Sequence, residues 1–224
     1  MQPNSWAPQQ PRQQQQLGVH GPMMTNNSNF NAAPQRVCLN PQDANLDFVM
    51  SPDLLTGSTI SIGGFGYMHS GARANLGISG GKHYFRVVVG QLQPVTVSNW
   101  NGGDLNTNAV ARVGLSTEDS DVGQLGEVPD SFGYGISGKK ASNGIFTNYG
   151  PTFAPGDEIL CFLDTTRVPA TVSFSLNAKL IGEAFAIPPN GKPLFPHVLI
   201  KNMAATLDFE GRGTVNGFQP WAGA

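Results

Sequence analysis

The run Gly133-Tyr134-Gly135-Ile136-Ser137-Gly138-Lys139-Lys140 comes within one residue of the phosphate-cradling pattern G-x-x-x-x-G-K-[ST]. Lys140 stands where that pattern needs a hydroxyl to hold Mg²⁺, and Asn143-Gly144 interrupts any helix that would turn its N-terminal dipole toward a phosphate. The run therefore reads as a glycine-rich strand and turn that lets sheets approach closely. The histidines His20, His69, His83 and His197 fall in no H-x-x-x-H or H-E-x-x-H arrangement, so their spacing supports no metal site. His197, between Pro196 and Val198 in an apolar run, reads as a satisfied core or sheet-edge histidine rather than a catalytic one. No G-x-S-x-G nucleophile elbow occurs. Cys161 lies among apolar neighbours, where a thiol stays inert. Glu118-Asp119-Ser120-Asp121 lacks the spacing of an EF-hand and reads as a solvated loop. The expectation is a protein that is not an enzyme and needs no cofactor or metal.

Residues suited to binding are easier to find. Arg73 sits in Gly71-Ala72-Arg73-Ala74, where small neighbours leave its guanidinium room to reach out. It either bonds carbonyls of an adjacent loop or offers a fork to a ligand's carboxylate or carbonyl. Trp100, in an Asn/Gly loop, is either folded back as a plug or exposed as an anchor. Tyr134 and Tyr149 lie beside glycines at strand ends, where a phenol faces solvent or satisfies a buried carbonyl. Lys201 and Asn202 follow the last apolar strand and can contribute at the same end.

The elements that must hold these residues are strands. Apolar residues alternate in short runs: Leu46-Phe48-Met50, His83 to Val89, Ala109 to Leu115, Ile159 to Leu163, Val172 to Leu176 and Ala205 to Phe209. A period of two marks half-buried strands. Clusters such as Pro155-Gly156-Asp157 and Pro188-Pro189-Asn190-Gly191 separate them as turns. No window of a dozen residues holds a helical period. The fold class is all-β, an antiparallel sandwich or barrel, because each alternating strand needs one covered face.

Composition agrees. Of the 224 residues 12% are charged and 28 are glycine, against about 25% charged in ordinary soluble domains. That argues against helical bundles and against basic nucleic-acid domains. The first 36 residues carry no acid, only Arg12 and Arg36 as bases, and abundant Gln, Asn and Pro. Residues 1–36 are expected to be a disordered tail. All 15 acidic residues fall within 37–210, so the acidity belongs to the folded part. Residues 211–224, GRGTVNGFQPWAGA, read as a glycine-rich tail, a loose linker, although Phe218 and Trp221 offer a way to pack back. Cys38 and Cys161 make no disulfide framework, and both read as small buried residues, as in a reducing compartment. The N-terminus lacks the apolar core of a secretory signal, so the sequon at Asn26 reads as chance.

Six stretches in order carry a resemblance. They are Ala111-Arg112-Val113-Gly114-Leu115-Ser116, Ser131-Phe132-Gly133-Tyr134-Gly135 and the strand from Asp157 to Asp164. The others are Val172 to Asn177, Leu194-Phe195-Pro196-His197-Val198 and the lead-in Gly71-Ala72-Arg73-Ala74. Over about residues 37–210 the chain resembles a SPRY domain, a bent sandwich of two antiparallel sheets. Within that family it is similar to the SPRY domain of heterogeneous nuclear ribonucleoprotein U and its relatives. It departs from the pattern at Leu115, where tryptophan is usual, and at Ala178, where a hairpin glycine is usual. Replacing that glycine is expected to change the turn type. The SAP module and kinase-like P-loop module of such proteins are absent from these 224 residues, so direct RNA binding transfers poorly. The resemblance implies a non-catalytic module that binds a protein or peptide partner in nuclear ribonucleoprotein assemblies. No import signal or membrane anchor is visible, and direct RNA binding is the alternative. It also implies a loop-built rim, for which Arg73, Trp100, Tyr134, Tyr149, Lys201 and Asn202 are the candidates.

Overall fold

Alternating sequence forms strands where a second layer covers one face of each. In the computed structural model, which describes residues 36–96 and 108–223, the strands make two antiparallel sheets. The first sheet runs, in spatial order, β1 (Leu39–Ala44), β4 (Ser70–Ala74), β13 (Phe195–Lys201), β6 (Val110–Ser116), β7 (Ser131–Gly135), β8 (Lys139–Ser142) and β9 (Ile145–Asn148). The second runs β12 (Lys179–Ile187), β11 (Ala170–Leu176), β10 (Glu158–Asp164), β5 (Lys82–Leu92), β14 (Met203–Asp208), β3 (Thr56–Thr59) and β2 (Phe48–Met50). The inner residues of both sheets meet in one core, with Val113, Val198 and Ile200 facing Phe85, Cys161 and Phe174. Burial pushes the Cys161 thiol well up, so it stays protonated and inert. Cys38 is only half-buried, contrary to its reading as a core residue. Leu46 likewise falls outside its expected strand, fully exposed in the turn before β2.

Strand β5 is the hub. It pairs with β10 from Lys82 to Val88, and with β14 from Arg86 to Leu92. Because β14 ends opposite Arg86, one side of His83 and Tyr84 is left open. The C-terminal segment fills it: β15 (Gln219–Pro220) runs parallel to β5, placing Gln219 beside His83 and Pro220 beside Tyr84. This corrects the loose-linker reading of residues 211–224. Trp221 has no exposed surface, packs edge-on to Phe85 at 5.6 Å, and donates its indole N–H to the Leu76 carbonyl at 3.0 Å. Val215 and Phe218 lie on the outer face of the second sheet against Tyr84, Leu160 and Phe162. A glycine-rich segment looks like a linker by composition, but two aromatic side chains supply the burial that orders it.

The Asn177-Ala178 turn also differs from expectation. Both residues have positive φ, 50° and 64°, as the usual two-residue hairpin turn demands. The turn type is kept, and alanine occupies a conformation that disfavours its Cβ. Residues 1–35 and Trp100 lie outside the described residues, whereas Arg36 belongs to the folded unit and pairs with Glu210 at 3.5 Å.

Two stability measurements check these points. Trp221→Ala should cost about 3–5 kcal/mol of unfolding free energy in urea. Ala178→Gly should add about 1 kcal/mol and raise the thermal midpoint by about 2–4 °C.

Candidate functional site

Arg73 lies on the outer face of the first sheet, at 3% exposure. Its fork is bidentate on Asp43 of β1, with Nε to Oδ2 at 2.6 Å and Nη2 to Oδ1 at 2.7 Å. Nη1 donates to the Ser120 carbonyl at 2.7 Å and to Ser116 Oγ at 3.2 Å, and Nη2 donates to the Glu118 carbonyl at 3.1 Å. Those bonds engage all five guanidinium donors. Of the two readings open to Arg73, the loop-bonding one describes this geometry, and no donor is left for a ligand.

The carbonyls belong to the β6–β7 connection, residues 117–130, which lies flat on the sheet's outer face. Glycine makes the approach possible: a Cβ on Gly71 would come 1.9 Å from the Val122 carbonyl oxygen. That same oxygen accepts from His197 Nε2 at 2.9 Å. With Nε2 carrying the proton, Nδ1 must accept from Ser116 Oγ, 2.8 Å away. A serine–histidine pair thus exists, but both residues are wholly buried and the relay ends on a carbonyl rather than a carboxylate. It positions the connection and cannot meet a substrate. Farther along, Arg112 donates to the Leu125 carbonyl at 2.8 Å and pairs with Glu127 at 2.6 Å.

Lys201 and Asn202, at 4% and 2% exposure, are also inside. Burial draws the Lys201 amine below its ordinary range. Asn202 turns the chain from β13 into β14 at φ 54°, and its amide donates to the Gly66 carbonyl at 2.8 Å. The near-phosphate-loop run is the β7–β8 hairpin. Strand β8 follows where a helix would be needed, and the Gly138 carbonyl accepts from the Tyr149 and Gly150 amides.

The two tyrosines do come together. Tyr134 and Tyr149 meet edge to face at 5.3 Å and share Phe174 as a neighbour. Tyr134 donates its hydroxyl to the Pro151 carbonyl, and Tyr149 donates to the Gly182 carbonyl of β12 at 2.5 Å. Burial pushes the Tyr134 hydroxyl up to about 12 and the Tyr149 hydroxyl higher still, so both remain donors. They tie residues 149–151 to the edge of the second sheet and leave a groove between that segment and the β11–β12 hairpin. Its walls include Tyr149, Pro151, Asn177, Lys179, Leu180 and Ile181, around a cavity volume of about 620 Å³. Leu180 is 57% exposed at its lip. Of the described rim candidates, Tyr149 alone lines this groove and Tyr134 braces its floor, while Arg73, Lys201 and Asn202 lie elsewhere. Lys179 and Leu180 were missed. Their signal was Ala178, which marks the hairpin that carries them.

This geometry matches a known family. The family model of the SPRY domain matches residues 82–212, more than half of the chain, and the chain belongs to that family. The mouse (Mus musculus) heterogeneous nuclear ribonucleoprotein U-like protein 2 is 35% identical over 178 residues, covering 77% of this chain and 23% of that protein. The Drosophila melanogaster ATP-dependent RNA helicase Ddx1 is 33% identical over 142 residues, covering 62% of this chain and 17% of the helicase. The chain therefore spans about a quarter or less of the length of these relatives. Among solved structures, the SPRY domain of human HERC1 superposes with a TM-score of 0.58 at 18% identity, covering 78% of this chain and 99% of that one. A human SPRY domain superposes with a TM-score of 0.54 at 21% identity, covering 74% of this chain and 97% of that one. They share the two-sheet sandwich fold. Trp221 and β15 lie beyond the residues matched by the family model.

The buried histidine makes a pH prediction. Burial and the nearby Arg73 charge bring the His197 pKa down to about 3, against an unfolded value near 6.5. The folded state then binds fewer protons than the unfolded one. The stabilisation is full above pH 6.5 and is lost as pH falls toward 3. Urea unfolding should show about 2 kcal/mol lost between pH 7 and pH 5. His69, also drawn down by burial, adds a slope of the same sign. His197→Gln should remove most of the loss.

Proposed function

We propose that this SPRY domain is a non-catalytic protein-interaction module that holds a short peptide in the groove beside Tyr149. The observation that carries the reading is an apolar groove with rigid walls and an exposed leucine at its lip. The tyrosine hydroxyls and the Gly138 carbonyl fix the 149–151 wall before any partner arrives. Pre-formed walls lower the entropy cost of association. The similarity to a heterogeneous nuclear ribonucleoprotein U-like protein and to an RNA helicase supports a place in nuclear RNA-processing assemblies.

Charge supports protein rather than RNA as the direct partner. Nucleic-acid affinity rests on cations facing phosphates. Among the described residues Arg73, Lys82, Arg86, Arg112 and Lys192 are held by carboxylates, and Lys140 donates to the Ala184 carbonyl. Lys139 and Lys179 are the exposed cations beside the groove, too few for a phosphate track, so we propose that association with RNA runs through a bound protein.

The test is selection of heptapeptides from a phage-displayed library, followed by calorimetric titration of the best binder. Leu180→Asp should weaken that binder by more than about tenfold while leaving the thermal midpoint in place, because it removes an exposed apolar contact. Unchanged affinity would overturn the groove reading. A single-stranded RNA titration at low salt should show no binding. Micromolar binding that weakens steeply with salt would favour the RNA reading instead.

A further inference from the structure

Three of the four outer strands are blunted against pairing. β1 carries Pro41 and an irregular register between Leu39 and Ala44. β2 has three residues. β12 has two register shifts, and the side chains of Tyr149 and Lys140 take up its Gly182 and Ala184 carbonyls. Bulges, prolines and very short strands are the usual devices that stop an edge from recruiting another chain. β9 has none of them. Its sequence, Ile-Phe-Thr-Asn, contains no charge, proline or glycine, and all four residues are exposed.

The hairpin fixes which of its backbone groups face out. Asn143 and Gly144, both with positive φ, close Ser142 onto Ile145. In such a two-residue turn the closing pair is hydrogen-bonded, and every second pair beyond it is too. Lys140–Thr147 is the next bonded pair, and the Tyr149 amide donating to the Gly138 carbonyl continues the series. Phe146 and Asn148 therefore present N–H and C=O outward. Among the described residues nothing bonds to these four groups.

We infer that β9 is a template onto which an extended peptide adds as an eighth strand of the first sheet. Tyr149 follows Asn148 directly and is the first wall of the groove, so an added strand leads into it. For that end of the peptide the inference rests on the groove reading above. The chemistry of the occupant follows from the flanks. β9 favours β-branched and aliphatic residues across from Ile145 and Phe146. Exposed Lys139 stands opposite Asn148, Lys179 lines the groove, and no carboxylate occurs on β8, β9 or the groove walls. The partner is an uncharged β-forming segment with an acidic residue at the groove end.

The test uses the full 224-residue chain, isotope-labelled, and the blocked heptapeptide Val-Thr-Val-Thr-Leu-Glu-Glu as probe. Saturating peptide should slow hydrogen exchange of the Phe146 and Asn148 amides at least about tenfold. Asn148→Pro deletes one outward N–H without touching the hairpin's own bonds, and should weaken binding about tenfold or more. The same peptide N-methylated at alternate residues keeps its side chains and should not bind, a control that needs no variant. Absent protection, or equal binding by Asn148→Pro and by the N-methylated peptide, would overturn the inference. So would protection of the same amides without peptide in a chain that sediments as a dimer, since the occupant would then be a second copy. If Leu180→Asp abolishes binding and Asn148→Pro does not, the groove stands and the strand template falls. The reverse result upholds the template and removes the groove.

Discussion

Arg73 carries a full charge almost out of contact with water, and an unpaired charge at that depth costs several kcal/mol. Its five bonds remove that cost only together. Asp43 must come from β1, Ser116 from the end of β6, and two carbonyls from the connection that follows. One guanidinium therefore fixes the edge strand, a central strand and a connection. His197 repeats the demand from the next strand, since its ring satisfies Ser116 on one side and Val122 on the other. Gly71 is required because the Val122 carbonyl lies where any side chain would go. The first sheet is consequently covered on its outer face as well where this connection lies, and there it carries the buried polar residues Arg73, Ser116 and His197 beside Gly71.

Braced on one face, the sheet can leave its far edge open. The tyrosine pair clamps residues 149–151 across to β12, and Lys140 reaches the same strand between the rings of Tyr149 and Phe185. Side chains on and just after the first sheet thus protect an edge of the second. At that edge lie the groove and the outward backbone of β9. Recognition by backbone and shape suits a chain in which only 12% of residues are charged.

Much of the fold was legible because period-two alternation and turn clusters are local signals. β5, β6, β10, β11 and β14 fall where the alternation put them. What escaped was decided by contacts distant in sequence. Trp221 bonds to a carbonyl 145 residues earlier, and nothing in its glycine-rich surroundings announces that. Ala178 sits in a left-handed turn because both flanking strands hold it there, so local propensity loses to the sheet. The candidate rim was the least legible part. Arg73, Lys201 and Asn202 are polar residues beside small or turn-forming ones, a pattern that fits a binding surface and a sealed network equally well. Only Tyr149 and Tyr134 reached the groove, and the lip residue Leu180 was signalled only indirectly, by Ala178 in the hairpin that carries it.

The position of Trp221 in the chain has a further meaning for how the domain is made. The core is closed at one end by an indole that bonds a carbonyl 145 residues before it and packs on Phe85, which also emerges far earlier. Contacts so far apart cannot form until the whole stretch between them has been made. A nascent chain holding both sheets but not yet residue 221 keeps one end of its core open, the kind of exposed apolar surface that chaperones meet. Completion of the sandwich therefore waits for a single indole.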